Sequence, residues 1–194
     1  MEKNLRRRVR RLKAAHPNHA VEVWAEDEAR LGLKPITRRV WWLKGVRPRS
    51  CGRTRYEWLY VYGFVRPRTG ESFTLFHPRV RVERMADALA AFAAHADPNG
   101  AKVLVLVVDN AGWHTAKRLA VPANVRLHFL PPCTPELQPV EPFWALVREG
   151  VANDTFDRLG QLRRVIRRRC HKLATDTATV FGAVGFRWAV RLEA

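Results

Sequence analysis

The sequence predicts an α/β protein with a mixed β-sheet flanked by helices, and three observations support this fold class. Residues 103–108 are consecutive apolar residues that end at Asp109, which is typical of a strand buried on both faces. Residues 56–76 are rich in aromatic and β-branched side chains around a central turn, which indicates antiparallel strands. Apolar residues at helical spacing in 82–97 and 159–173 indicate two amphipathic helices.

The first half of the chain is predicted to supply antiparallel strands. A short strand runs into three consecutive acids, and further apolar segments follow before the first long helix. The predicted elements are a strand at 21–24, a turn at 30–33, strands at 39–43, 56–65 and 71–76, a hairpin loop at 66–70 and a helix at 82–97.

The second half alternates strands and helices. Its predicted elements are a strand at 103–108, a short helix at 115–119, a strand at 125–130, a proline-rich loop at 131–139, helices at 141–148 and 159–173, and a loosely specified tail from 180. Three or four antiparallel strands, with strands 1–3 antiparallel, followed by helix, strand, helix, strand and further helices, form a mixed sheet with flanking helices. This order is also the one found in ribonuclease-H-like folds.

The charge of the chain predicts a polyanionic partner. The net charge is +17 and the pI is about 11.2, so nucleic acid is the expected partner. One basic cluster, in residues 3–13, is interpreted as a phosphate-contacting arm, as the end of a helix from an upstream domain, or as a solvated terminus. A second lies on one face of helix 159–173. The arginines expected to contact DNA phosphates are Arg7, Arg8, Arg11, Arg163, Arg164, Arg167 and Arg168.

Several classes are excluded by composition. No stretch of about 18 residues is free of charge, so no membrane span is expected. The charged N-terminus is followed by no apolar core and is not a secretory signal. The cysteines, Cys51, Cys133 and Cys170, match no zinc spacing and are predicted to be free thiols in a reducing cytoplasm.

Three acids from distant parts of the chain are candidates for a metal site. Asp27, Asp109 and Glu141 are each predicted to end or follow a strand, and strand ends can converge at one edge of a sheet. Hard divalent ions take carboxylate oxygens as ligands, and a pair of such ions serves phosphodiester chemistry.

The sequence around these acids resembles that of a known family. The segments AEDEARLGL, VVDNAGWHTAK and LPPCTPELQPVEPFW are similar to the three signature blocks of DDE transposases, closest to the bacterial insertion-sequence branch of the mariner superfamily. The resemblance spans about residues 20–175. It implies a ribonuclease-H-like catalytic domain, two Mg²⁺ or Mn²⁺ ions, and DNA strand cleavage and strand transfer. It also implies that Asp27, Asp109 and Glu141 are the catalytic, metal-binding triad.

The chain departs from the family pattern in the third block. Cys133 and Thr134 stand where the family usually has Tyr-Ser, and Gln138 replaces an Asn, although hydroxyl and amide groups are retained. The spacing between Asp109 and Glu141 is also slightly short. We interpret none of these changes as loss of the triad.

Residues beside the triad carry open alternatives. Glu28 is expected to point away from Asp27, in a supporting or salt-bridge role. Asn110 either caps a turn or orients a metal ligand. His114 contacts DNA phosphate, acts near the attacking water, or is structural. Trp113 and Trp144 are predicted to be core residues.

We therefore predict a basic arm or upstream-domain remnant at 1–19, a catalytic domain at 20–175 and a tail at 176–194. The expected function is that of a transposase catalytic domain acting on double-stranded DNA, at element ends and target, in the bacterial cytoplasm with the nucleoid. A homodimer is expected, with a helix-turn-helix domain on a missing or separate segment. The alternatives are a non-catalytic DNA-binding remnant, or another ribonuclease-H-like nuclease such as a resolvase or an RNA-cleaving enzyme.

Overall fold

A computed structural model of the chain describes residues 1–47 and 55–192, and in it five strands form one mixed sheet. The strands are β1 (Ala20–Gly32), β2 (Trp58–Val65), β3 (Ser72–His77), β4 (Lys102–Val108) and β5 (Val125–Phe129). Their order across the sheet is β3-β2-β1-β4-β5. The pairs β1–β2 and β2–β3 are antiparallel, whereas β1–β4 and β4–β5 are parallel. The predicted mixed sheet with antiparallel strands 1–3 is confirmed.

Helices cover both faces of this sheet. They are α1 (Glu2–Ala15), α2 (Val82–Ala96), α3 (Glu141–Glu149), α4 (Leu159–Thr175), α5 (Thr177–Val184) and α6 (Arg187–Val190), with a 3-10 turn at Pro135–Leu137. Residues of α1, α3, α4 and α5 pack on one face, which we call the front face. Helix α2 packs on the other, the back face. Each face has its own apolar core.

Alternation along β1 sorts its residues between these two cores. Val21, Val23 and Ala25 belong to the front core, whereas Trp24 belongs to the back core. On the back face Phe92 of α2 stacks on Phe64 at 4.4 Å and meets Trp24 edge-on at 5.1 Å, measured between ring centroids. The same alternation decides which of the acids in β1 face the front and which face the back.

Strand β1 is much longer than predicted. A strand confined to 21–24 and a turn at 30–33 are both wrong, because β1 continues unbroken to Gly32. Its charged residues interrupt the apolar pattern, yet β2 and β4 pair with it on both sides. The buried Glu22 is tolerated because Arg66 and Lys102 lie 3.1 and 2.9 Å from its carboxylate. Asp27 therefore lies within a strand, not after one.

Other elements also differ from the predictions. Residues 39–43 form no strand: they lie in the connection from β1 to β2, where Trp41 is 102 % exposed. Both edges of β1 are already occupied, by β2 and β4, so this segment cannot pair with the strand that it follows. Residues 115–119 form turns instead of a helix. Cys51 lies outside the described residues; Cys133 and Cys170 are free, as predicted.

Both ends of the described chain are helical and packed. Leu5 and Val9 of α1 are buried in the front core, so residues 2–15 are not a solvated terminus. The prediction of a loosely specified tail from 180 is wrong, because α5 and α6 bury Val180, Val184 and Ala189. Within the described residues, no helix has the length and apolar character that crossing a bilayer requires.

We expect Asp97→Ala to lower the free energy of unfolding by about 1–3 kcal/mol. Asp97 is buried at the end of α2, where its Oδ1 accepts a hydrogen bond from the Ala101 amide at 2.8 Å and its Oδ2 accepts one from Asn124 Nδ2 at 2.8 Å. The substitution leaves both donors without this acceptor. Urea denaturation provides the measurement. The matched control is Asp87→Ala, which removes only an exposed ion pair with Arg84 and should cost less than about 1 kcal/mol; equal losses would contradict this account.

Candidate active site

Asp27 projects from the middle of β1 onto the front face. Its Oδ2 accepts a hydrogen bond from Nε1 of Trp144, a buried residue of α3, at 2.8 Å. Directly across the strand pair lies Gly63 of β2. A Cβ atom at Gly63 would lie 2.5 Å from the indole ring of Trp144, so only glycine lets the ring lie against β2 beside Asp27. Trp144 is the predicted core residue, but it is also the hydrogen-bond donor that holds Asp27.

Asp109 follows the last residue of β4. In the parallel β1–β4 pairing Ala25 lies opposite Val107, so Asp27 and Asp109 both lie two residues beyond the same rung. The Asp109 side chain is 53 % exposed, and its Oδ1 accepts hydrogen bonds from His114 Nδ1 at 2.7 Å and from the Ala111 amide at 2.9 Å. Asp109 itself therefore caps the following turn, which is one of the two roles predicted for Asn110.

Asn110 ties two chain segments together instead. Its Nδ2 donates to the carbonyl oxygen of Leu130 at 2.6 Å, which joins the end of β4 to the loop after β5. Gln138 performs a similar task farther along this loop, since its Nε2 donates to the carbonyl oxygen of Glu26 at 2.9 Å. The amide retained at Gln138 thus fastens the proline-rich loop to β1, next to Asp27.

Glu141 begins α3 immediately after this fastened loop and is exposed. The three predicted acids line one open cavity of about 420 Å³ between the sheet and the loop. Its lining residues are Asp27, Asp109, Asn110, Ala111, Leu130, Pro131, Pro132, Cys133, Thr134, Pro135, Gln138 and Glu141. The structure therefore brings Asp27, Asp109 and Glu141 to one place, although they lie far apart along the chain.

The two aspartates have opposite electrostatic surroundings. Burial raises the pKa of Asp27 to about 7, and the negative charges of Glu28 and Glu141 add to this effect, against the hydrogen bond from Trp144. The hydrogen bond from His114 lowers the pKa of Asp109. Crowded carboxylates at a cavity wall would be relieved by a cation, and their oxygens are the ligands that Mg²⁺ and Mn²⁺ prefer.

A second acidic group lies behind Asp27, on the back face. Its neighbours in β1, Glu26 and Glu28, point there, as expected for Glu28, and both contact His114. The His114 Nε2 atom lies 3.1 Å from Glu26 Oε2 and 3.4 Å from Glu28 Oε1, although neither contact is aligned as a directional hydrogen bond. The back-face cluster, defined as Glu26, Glu28 and His114, is buried in the protein.

The titration of this cluster is shifted by burial and by its own charges. Burial and repulsion from Glu28 raise the pKa of Glu26 to about 8. Burial acts to lower the pKa of His114, but its contacts with Asp109, Glu26 and Glu28 outweigh burial and raise that pKa to about 12. The His114 ring therefore lies among the carboxyl groups of Asp109, Glu26 and Glu28, which favour its protonated form. Two residues of the site were not predicted from the sequence. Glu26 contacts His114 but looked like one member of a charged strand end, and Gly63 makes room for Trp144 beside Asp27.

The arginines predicted to contact DNA lie on α1 and α4, which both pack on the front face with α3. Arg7 and Arg11 are exposed, whereas Arg8 is half-buried near Arg126 of β5. Burial lowers the pKa of Arg8, and repulsion from the positive charge of Arg126 lowers it further. The four α4 arginines are exposed, and two of them, Arg163 and Arg167, line a second cavity of about 410 Å³ beside β3. Both arginine groups thus share the sheet face that carries Asp27.

We expect Gly63→Ala to cost about 1–3 kcal/mol of unfolding free energy, because the added methyl group displaces the Trp144 ring. Urea denaturation of the variant measures this cost. Gly182→Ala is the matched control: nothing lies near a Cβ at this exposed position of α5, so it should be neutral or stabilising. The Gly63→Ala cost should also shrink in a Trp144→Phe background, and an unchanged cost there would rule out this packing explanation.

Comparisons with known proteins agree with this architecture. A protein described as uncharacterized protein y4pE/y4sA, from Sinorhizobium fredii (strain NBRC 101917 / NGR234), is 42% identical over 93 residues, which is 48% of this chain and 67% of that protein. The Mos1 transposase paired-end complex with left transposon end matches with a TM-score of 0.54 at 17% identity. The mariner Mos1 paired end complex with Mg matches with a TM-score of 0.56 at 15% identity.

Both Mos1 matches cover 95% of this chain but 61% of the Mos1 chain, so this chain spans less than two thirds of those proteins. At such low identity they show a shared ribonuclease-H-like fold, which confirms the predicted fold class. The sequence family described as DDE superfamily endonuclease matches residues 22–163, well over half of the chain and all three of the motif blocks. The chain therefore belongs to the DDE superfamily endonuclease family.

Proposed function

We propose that this chain is the catalytic domain of a metal-dependent DNA transposase, which cleaves DNA strands and then transfers them. The observation that carries the proposal is the single cavity lined by Asp27, Asp109 and Glu141. These acids come from a central strand, from the end of its parallel neighbour and from the start of a helix. The membership of the chain in the DDE superfamily endonucleases supports DNA cleavage as the reaction.

Divalent cations fit this cavity. A pair of Mg²⁺ or Mn²⁺ ions would be held by the carboxylate oxygens of Asp27, Asp109 and Glu141. When bound, such ions supply an activated water and stabilise the leaving oxygen of the phosphodiester. The fit rests on the chemistry of the donors and on the repulsion among Asp27, Glu28 and Glu141, which a cation would neutralise.

The residues of the chain itself supply rigidity. Trp144 orients Asp27 from the front core, and the Ala111 amide and His114 orient Asp109. Gln138 anchors the loop that precedes Glu141, and prolines stiffen that loop. A site held on strands and a helix start keeps its oxygens in place while first water and then a 3′ hydroxyl approaches the phosphate.

Double-stranded DNA is the proposed substrate, both as element ends and as target. The net charge of +17 and the arginines of α1 and α4 support this choice. The matched Mos1 complex contains a transposon end, and its chain is longer than this one. We infer that a helix-turn-helix segment elsewhere supplies end recognition, and that two copies act together. A bacterial insertion sequence, working in the cytoplasm at the nucleoid, is the setting that we propose.

We expect Asp109→Asn to abolish Mn²⁺-dependent cleavage of a DNA duplex while leaving duplex binding largely intact. In wild type, Mn²⁺ at a hundred times its Kd should add about 2.7 kcal/mol of stability, and this increment should vanish in the variant. The metal-free variant can be the more stable of the two, because a repelling charge is gone. Melting temperature against Mn²⁺ concentration and a cleavage assay give the two readouts.

Glu136→Gln is the control for this experiment. Glu136 is an exposed acid of the proline-rich loop before Glu141, and it does not line the cavity. Both readouts of this variant should therefore match wild type. Cleavage that survives Asp109→Asn would exclude the proposed chemistry. Metal binding and DNA binding without cleavage in wild type would favour a non-catalytic remnant, and preferential cleavage of RNA or of branched DNA would favour another nuclease of this fold.

We expect Arg163→Ala combined with Arg167→Ala to weaken binding to duplexes of any sequence and to reduce the salt dependence of binding. Each lost phosphate contact should lower the slope of log K against log salt by about 1. Fluorescence anisotropy across a salt series measures both effects. The control is Arg84→Ala, on the back-face helix α2, which should change neither the affinity nor the slope. An unchanged slope in the double variant would remove α4 from the proposed DNA surface.

A further inference from the structure

We propose that His114, Glu26 and Glu28 form a positioning clamp for Asp109, acting through the sheet from its back face. None of the three lines the active-site cavity. Instead, Glu26 and Glu28 hold the imidazole of His114, and His114 holds one oxygen of Asp109. The functional consequence of this clamp rests on the proposed function, because it concerns a proposed metal ligand.

Asp109 needs such support because the sheet ends beside it. The β1–β4 pairing stops at Ala25 and Val107, and the β4–β5 pairing stops at Val108 and Phe129. The backbone ladder therefore does not fix Asp109, and its side chain is half-exposed. Its Oδ1 is held by His114 and by the Ala111 amide, and no partner is seen for Oδ2 within the described part of the chain. This leaves Oδ2 for the cavity.

His114 is itself held at both ring nitrogens. Nδ1 lies 2.7 Å from Asp109 Oδ1, and Nε2 lies 3.1 Å from Glu26 Oε2 and 3.4 Å from Glu28 Oε1. The side chain is 0 % exposed. A ring bonded at one nitrogen can still swing, whereas close contacts at the opposite nitrogen limit that movement. The two glutamates thus restrict the positions from which His114 can hold Asp109.

The clamp also links the two aspartates through one strand. Glu26 and Glu28 flank Asp27 in β1 and project to the opposite face. Asp27 faces the cavity directly, and its two neighbours reach Asp109 through His114. The parallel register of β1 and β4 brings Asp27 and Asp109 to the same end of the two strands, and the back-face cluster then positions the Asp109 side chain.

Geometry explains why the residue at the centre is a histidine. Glu26 and Glu28 lie on the back face and Asp109 lies at the cavity edge, so the residue between them must present polar atoms in two opposite directions. The imidazole has two nitrogens at opposite sides of one ring and can serve both faces at once. An asparagine could reach Asp109 in the same way as Nδ1 does, but it is too short to reach Glu26 or Glu28.

The same three residues could instead be metal ligands, since their ligand atoms all lie within 4.8 Å of one another. The surroundings favour the clamp. The side chains of Glu26 and His114 are 0 % exposed and that of Glu28 is 6 % exposed, so no room is left for the waters that Mg²⁺ retains. A back-face metal site would still bind an ion after the acids of the front cavity have been substituted, whereas the clamp would bind none.

The first experiment measures the Mn²⁺ dissociation constant of the full chain by electron paramagnetic resonance, well below the melting temperature. We expect His114→Ala to weaken Mn²⁺ binding about 10-fold or more, as for other residues that orient metal ligands. His114→Asn should recover part of the loss, because its amide can still donate to Asp109. His77→Asn, a histidine that packs on Tyr62 away from the cavity, should bind Mn²⁺ as wild type does. Equal affinity in wild type and His114→Ala overturns the clamp.

A second measurement does not depend on metal binding or cleavage. Proton NMR should show a slowly exchanging, strongly downfield imidazole proton of His114 in the metal-free chain. That signal should disappear in Asp109→Asn and shift in Glu28→Gln. A signal that is the same in wild type, Asp109→Asn and Glu28→Gln would overturn the clamp. If wild type binds no Mn²⁺, the proposed function fails, and this measurement alone decides the clamp.

A third arm separates the clamp from a back-face metal site. The double variant Asp27→Asn, Glu141→Gln should bind no Mn²⁺ or Zn²⁺ in stoichiometric amount, as measured by elemental analysis after dialysis. An ion retained by this variant and lost on adding His114→Ala would make His114 a ligand and overturn its positioning role.

Discussion

The parallel pairing of β1 with β4 is the constraint on which the rest of the structure depends. It aligns Ala25 with Val107, so that Asp27, two residues farther along β1, and Asp109, just beyond the end of β4, lie at the same level of the sheet. A shift by one residue would exchange the faces of every side chain in β1 and send Asp27 into the back core. The acids of β1 oppose such a shift, because it would separate Glu22 from Arg66 and Lys102, and Glu26 from His114.

Strand β1 serves both sides of the sheet at this one point. Asp27 faces the cavity and is held by Trp144, while Glu26 and Glu28 face the other way and contact His114. Strands seldom carry three consecutive acids in their interior, because each buried charge needs a partner. Here the partners come from α3 on the front and from the turn after β4 on the back. The acids are thus specified by their neighbours in space, not by their neighbours in sequence.

Electrostatics act at two ranges in this protein. Over long distances the net charge of +17 attracts a polyanion. Within the cavity, the crowded acids would repel the phosphates of that same polyanion, and burial already raises the pKa of Asp27 to about 7. Under the proposed function, divalent cations remove this local repulsion, because they neutralise the carboxylates at the point where the phosphate arrives.

Much of the fold and the location of the cavity could be predicted from the sequence. The apolar run of β4 and the aromatic run of β2 are local patterns, and they specified the mixed sheet. The local pattern predicted β1 wrongly, because its acids interrupt the apolar residues of a 13-residue strand. It also predicted a strand at residues 39–43, whose apolar side chains lie exposed in a connection. In both cases, the outcome depended on which strand edges were free and which charges found partners.

The sequence by itself determined the chemistry available to this protein: three motif blocks carrying Asp27, Asp109 and Glu141, a basic cluster in residues 3–13 and an arginine face on helix 159–173. Only the tertiary structure decided how these groups are held. Gly63 leaves the space that Trp144 needs beside Asp27, and Gln138 anchors the loop before Glu141. Glu26 reaches Asp109 only through His114. Such contacts join residues that are distant along the chain, and their geometry follows from strand register and packing, which no local pattern of residues encodes.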